Sequence, residues 1–198
     1  MTKIRILPAV IFILLALLFS LSWAQEKTLA KPGVLDSEEI LTGQPLSRYK
    51  TVIIRDFGFE KTRYENFNKE EMERFTPLKP SLVSLLSDEF VRKLKAENLF
   101  EKVERGGEPS QDAIVLEGQF TKIDAGNRAL KFWVGFGAGK STVEVKGRLI
   151  EAATGRELAL FIQDRHSPAS MSDLEAVLSS DTKNLAQDLA KFIVKLYK

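Results

Sequence analysis

Residues 141–164, STVEVKGRLIEAATGRELALFIQD, alternate as a half-buried strand does. Val143, Val145, Gly147 and Leu149 fall on one side of an extended chain, while Glu144, Lys146 and Arg148 fall on the other. That period of two places one face against a core and the other in water. Ala153-Thr154-Gly155-Arg156 supplies a tight turn, and ELALFIQD over 157–164 returns as a second strand. The two together predict an antiparallel hairpin.

Outward from this hairpin the pattern continues. Residues 113–123, AIVLEGQFTKI, alternate in the same way and predict a third strand, preceded by the turn-rich ERGGEPSQD of 104–112. Residues 49–59, YKTVIIRDFGF, contain the β-branched run Val52-Ile53-Ile54, a short buried strand ended by Asp56 and Gly58. Between these strands, Leu82, Leu85, Leu86, Phe90, Leu94 and Leu99 recur at helical spacing, with Ser81 as the expected N-cap after Pro80. A shorter helix is expected around 69–75. Near the C-terminus Leu185, Leu189, Phe192, Ile193 and Leu196 form a second long apolar stripe. Asp181 stands near its expected start and Lys195 and Lys198 near its end, as the helix dipole favours. Residues 165–180 read as polar loop, with a helical turn in SDLEAVL. The order strand, helix, strand, strand, strand, helix predicts an α+β fold: a two-layer sandwich in which two long helices cover one face of a mostly antiparallel sheet. The expected domain is 49–198, behind an extended lead-in at 25–48 that carries Pro32, Gly33, Gly43 and Pro45.

The first 24 residues read differently. Lys3 and Arg5 precede the uncharged run ILPAVIFILLALLFSLSWA of 6–24, which ends in the small-x-small pattern Ser22-Trp23-Ala24. This is the form of a secretory signal peptide cleaved after Ala24, and the expected location is the periplasm. The alternative is an uncleaved N-terminal membrane anchor, since about nineteen apolar residues can also span a bilayer. The chain contains no cysteine, so it has no disulfide, no thiolate nucleophile and no site for bacterial lipidation. Of 29 basic and 27 acidic residues, Lys3 and Arg5 belong to the signal, leaving 27 of each sign. A balanced chain lacks the sustained basic surface that nucleic acid requires, so none is expected as a partner.

Residues 132–141, FWVGFGAGKS, look at first like a phosphate loop. A Walker A motif needs a glycine five places before Gly139-Lys140-Ser141's own glycine, and that position is Val134. Ser141 moreover opens a strand, where a phosphate loop opens a helix. The dinucleotide fingerprint fails too, because Gly135, Gly137 and Gly139 are spaced by two. No nucleotide and no cofactor is therefore expected. Spacing by two places the three glycines on one face of an extended chain, a bare strip of backbone open to close approach. Phe132, Trp133, Val134 and Phe136 are too apolar for a solvated loop and belong against the domain itself, a neighbouring chain or a membrane.

Residues 118–159 carry a resemblance. Gly126-Asn127-Arg128, the run Gly135-Phe136-Gly137-Ala138-Gly139 and the turn Thr154-Gly155 resemble a bacterial envelope family known only as a domain of unknown function, DUF4410. The resemblance extends more loosely from about Lys50 to the C-terminus. It implies an exported protein with no assigned activity. Many members of that family are lipoproteins, and the absent cysteine departs from this. More distantly, a strand, a glycine-rich insertion and a strand ending in Thr-Gly is similar to the periplasmic domain of the curli secretion channel and to outer-membrane cofactors of peptidoglycan synthases.

Other chemistry is sparse. His166 is the single histidine, too little for a common zinc site without cysteines, and no G-x-S-x-G elbow accompanies it. It reads as a surface residue at the end of a strand. Glu70, Glu71 and Glu73 read as the solvated face of a short helix, and no metal site is expected. Arg128 and Lys131 beside the aromatic run suit anionic lipid headgroups, glycan or a partner carboxylate. The expectation is an exported, non-enzymatic binding, assembly or accessory module of the envelope. Its contact residues would be Gly126, Asn127, Arg128, Lys131, Phe132, Trp133, Gly135, Phe136, Gly137 and Gly139, meeting an envelope protein, a second copy of the chain or a membrane surface. The rivals are a small-ligand or lipid carrier with an apolar pocket under the glycine stretch, and a hydrolase using His166.

Overall fold

The computed structural model describes residues 32–126, 140–167 and 173–198. Within them the elements run β1 Ser37–Ile40, β2 Thr51–Ile54, β3 Arg63–Glu65, α1 Lys69–Phe75, α2 Lys79–Ala96, β4 Lys102–Arg105, β5 Ala113–Asp124, β6 Ser141–Glu151, β7 Glu157–Ser167 and α3 Leu174–Tyr197. The described strands form one sheet in the order β1-β7-β6-β5-β2-β4, with β3 paired to β5 beyond the end of β2. The architecture is α+β, with two long helices against a single open sheet.

The long ladders β5–β6 and β6–β7, and the edge pair β1–β7, are antiparallel. The short pairings β2–β4, β2–β5 and β3–β5 are parallel, which the sequence pattern did not announce. Parallel neighbours arise here because the chain crosses over through α1 and α2 between β2 and β4, so β2 and β4 enter the sheet in the same direction. β1 lies within the stretch read as an extended lead-in, and Leu46, fully buried, joins the core from the same stretch.

Alternation decides the core. Val52 and Ile54 of β2, Ile114, Leu116 and Phe120 of β5, Val143, Val145 and Leu149 of β6 and Phe161 of β7 all join one buried cluster with both long helices. The helices contribute Leu82, Leu86, Phe90 and Leu94 from α2, and Leu185, Leu189, Phe192, Ile193 and Leu196 from α3. An extra residue, Thr121, interrupts the β5–β6 register between Phe120 and Lys122. Without this bulge, Ile123 would face away from the helices; with it, Ile123 is fully buried in the same cluster.

Gly118 and Gly147 face each other across β5 and β6. Each leaves a gap on the helix side that an aromatic ring fills. A Cβ at Gly118 would sit 2.6 Å from Phe57, and one at Gly147 would collide with the end of the Phe161 ring. Rings laid over strand glycines restore the packing those residues give up.

The helix ends depart from expectation in two places. α2 starts at Lys79 without a side-chain cap, so Ser81 lies inside its first turn. The short 3₁₀ turn Thr76–Leu78 leads directly from α1 into it and supplies the preceding helical turn. α3 begins at Leu174 and extends the helical turn expected in SDLEAVL through residue 180, which puts Asp181 in the helix interior; β7 takes 165–167 of the stretch read as loop. At α1, Asn68 and Glu71 form a reciprocal capping box, Asn68 Oδ1 accepting from the Glu71 N–H at 2.8 Å. Glu71 is accordingly buried rather than on a solvated face.

The turn between β6 and β7 forms as expected, with Gly155 at φ +71°. Thr154 Oγ1 donates to Glu151 Oε2 at 2.6 Å, and Tyr49 donates to Glu151 Oε1 at 2.7 Å. The Thr154 and Tyr49 hydrogen bonds hold the Glu151 carboxyl down to about 2.

Candidate functional site

The final pair of the β5–β6 ladder is Asp124 with Thr142. The connection that contains residues 127–139 thus leaves and re-enters the sheet on neighbouring strands, about 5 Å apart. On the exit side, Asp124 Oδ1 accepts from Asn66 Nδ2 at 2.8 Å and from the Gly126 N–H at 2.9 Å. The Ala125 N–H donates to the Glu65 carbonyl at 3.0 Å. Lys122 Nζ reaches Glu65 at 2.8 Å and Asp124 at 3.6 Å, and the Glu65 hydrogen bond raises the lysine's pKa. Gly126 has φ +77° and Asn66 φ +57°, so both turn the chain in the left-handed region.

On the return side, Ser141 stands opposite Ser167, both facing the helices. Ser167 Oγ donates to Asp181 Oδ1 at 2.6 Å. Arg165, two residues earlier on the same face, pairs with Asp188, which also accepts weakly from Gln163 Nε2 at 3.4 Å. Three buried polar atoms of this corner have no hydrogen-bond partner among the described residues: Ser141 Oγ, Arg165 Nε and Asp181 Oδ2. Burial pushes the Asp181 carboxyl up, against the Ser167 hydrogen bond and the nearby His166 and Arg165 charges. Such polar burial at one end of an otherwise apolar layer costs stability and sets this end apart from the rest of the core.

The opposite face of the same strand ends carries Thr142, His166 and Asp164. Thr142 Oγ1 lies 2.9 Å from His166 Nδ1, and His166 Nε2 lies 3.1 Å from Asp164 Oδ1. The order acid, imidazole, hydroxyl imitates a hydrolytic triad. The hydroxyl, however, belongs to a buried threonine, while the imidazole itself is exposed, the reverse of a nucleophile open to substrate. Burial raises the Asp164 pKa, and its backbone N–H donates to Asp36 Oδ2 at 2.8 Å. Among the described residues no group of three acidic or histidine side chains is placed to hold a metal ion.

Of the residues expected to make contacts, Gly126 is the one that the structure describes, at the exit corner. Asn127, Arg128, Lys131, Phe132, Trp133, Gly135, Phe136, Gly137 and Gly139 lie outside the described residues. The sequence reading missed Asn66 and Asp124, which brace the exit side, and the Ser167–Asp181 bond on the return side. Asn66 and Asp124 are 58 positions apart, and no local period links them.

The sheet face turned away from the helices is not covered by either of them. It presents an open groove of about 630 Å³ over Gly118 and Gly147, lined by Arg55, Glu117, Gln119, Lys146, Arg148 and Glu157 among others. Arg148 bridges Glu117 and Glu157 at 2.6 and 2.8 Å, an ion-pair ladder across three strands. Among the described residues no helix is long and apolar enough to cross a membrane.

Solved structures similar to this chain include the following two. Protein XCC0632 from Xanthomonas campestris is 12% identical over 77% of this chain and 87% of its own, with a TM-score of 0.51, and supports the fold alone. A PelC dodecamer from Paraburkholderia phytofirmans is 18% identical over 77% of this chain and 97% of its own. Its TM-score of 0.46 leaves the dodecamer a property of that protein. No curated protein matches the chain by sequence. The model of the family described as "Domain of unknown function (DUF4410)" matches residues 52–170, including the hairpin, its braced corner and the run between them, and the chain belongs to that family.

Proposed function

We propose that the protein is an exported, non-enzymatic module of the bacterial envelope that works by binding, as an assembly or accessory component. In this reading residues 1–24 are a signal peptide and 49–198 a single α+β domain, which the 25–48 lead-in joins through β1 and Leu46. The contact surface is the connection between β5 and β6. Phe132, Trp133 and Phe136 provide apolar anchor area, Gly135, Gly137 and Gly139 permit close backbone approach, and Asn127, Arg128 and Lys131 supply polar contacts at its start. The partner is a second copy of the chain or another envelope protein, and the two cations also suit a membrane surface.

One observation carries this reading: the Asp124–Thr142 pair fixes both ends of the connection at one braced corner of a rigid sheet. The ends of a connection that carries two phenylalanines and a tryptophan thus leave and re-enter the sheet side by side, which supports a contact surface at this corner. The groove on the uncovered face is lined by charged side chains and suits no apolar cargo, which disfavours a lipid carrier at that place.

Light scattering coupled to size exclusion tests the self-association branch. The mature chain 25–198 is expected to be an oligomer, and Trp133→Ala/Phe136→Ala a monomer with an unchanged circular dichroism spectrum. If both are monomers and the double variant is strongly destabilised, the run belongs to the domain's own core and the reading fails.

A further inference from the structure

Lys79 is the first residue of α2, where the helix dipole disfavours a cation. It makes no ion pair with a carboxylate among the described residues. Its ammonium instead lies over three aromatic rings, 4.5 Å from the centroid of Tyr64, 5.7 Å from Phe75 and 5.8 Å from Phe59. The rings stand at angles to one another, Phe59 to Phe75 at 71° and Tyr64 to Phe75 at 60°, and so surround the charge on several sides. Rings placed this way attract ammonium groups through the negative potential of their faces, and desolvation strengthens the attraction.

We propose that Phe59, Tyr64 and Phe75 form an ammonium-binding cage, filled in the native chain by its own Lys79 and able to take a free alkylammonium ion once that side chain is removed. The cage joins four parts of the fold. Phe59 follows β2 and stacks on Phe120 of β5 at 4.3 Å; Tyr64 belongs to β3, Phe75 to α1 and Lys79 to α2. Since β3 pairs with β5 at Lys122–Asp124, the lysine fastens the start of α2 to the strand that braces the exit corner.

The experiment uses the mature chain with Lys79→Ala, read by urea unfolding. Removing the side chain is expected to lower the folding constant by about two- to five-fold, the size of one cation–π contact at a partly exposed site. Added n-butylammonium chloride should restore it saturably. Sodium chloride at equal ionic strength and n-butanol at equal concentration should not. Lys79→Met keeps the stem in the cage without its charge, and should show the loss with no rescue. Equal rescue by butanol, rescue of Lys79→Met, or no response to butylammonium in a folded Lys79→Ala chain overturns the proposal. Should Lys79→Ala not fold, Lys79→Met is compared in the native and Tyr64→Leu backgrounds. Its cost should fall by at least half when Tyr64 is lost, and an unchanged cost overturns the cage.

Discussion

Replacing Gly147 with valine is expected to lower the stability of the domain by about 3 kcal/mol or more, the upper end of what overpacking a core usually costs. The first added carbon would collide with the end of the Phe161 ring and sit 2.7 Å from the Glu117 carbonyl oxygen. A ring can turn, but the carbonyl belongs to the β5–β6 ladder and moves only if the ladder does. Two consequences are measurable by urea unfolding. Gly147→Ala combined with Phe161→Leu should recover part of the loss, because one of the two collisions is removed. The recovery should stay incomplete, because the carbonyl contact remains. A Gly147→Val chain as stable as the native one would mean that Phe161 does not lie over the glycine.

Phe120→Ala is the second large effect, expected at about 3–5 kcal/mol, the range for emptying a phenylalanine site in a packed core. Phe120 is fully buried, stacks on Phe59 at 4.3 Å, and is the last residue before the bulge that returns Ile123 to the core. Its loss therefore removes the ring on which the excursion after β2 rests, as well as the contacts of the side chain itself. Gln119→Ala, on the opposite face of the same strand, should change stability by less than about 0.5 kcal/mol. Equal effects at 119 and 120 would contradict the assignment of the two sheet faces.

The contrast between those neighbours also explains what the sequence disclosed. β5, β6 and β7 were legible because each alternates over many residues, and the two long helices because their apolar stripes recur at helical spacing. β1, β3 and β4 read SEEI, RYE and KVER, short and mostly polar, and each gives the core one apolar side chain, Ile40, Tyr64 and Val103, too few to show a period. The bulge at Thr121 is hidden because one inserted residue in an alternating strand looks like a polar position. The start of α3 was misplaced because residues 174–180 are partly polar, and with it Asp181, which the dipole argument put near the N-terminal end of the helix. In the structure its carboxyl is buried against Ser167. At the candidate site the motif pointed to Gly126, whose φ of +77° justifies a glycine there. The side chains that brace the corner come from distant positions and carried no local signal.

Under the proposed function, this protein meets its partner through the run between β5 and β6. The most direct measurement places a photo-crosslinking phenylalanine analogue at Phe136 in the full chain, in cells, and compares it with the same analogue at Gln119 on the uncovered sheet face. A discrete crosslinked product is expected from position 136, to a second copy or to one envelope protein, and none from position 119. A product from 119 alone, or none from 136 in a protein shown to be exported and folded, would contradict the proposed function.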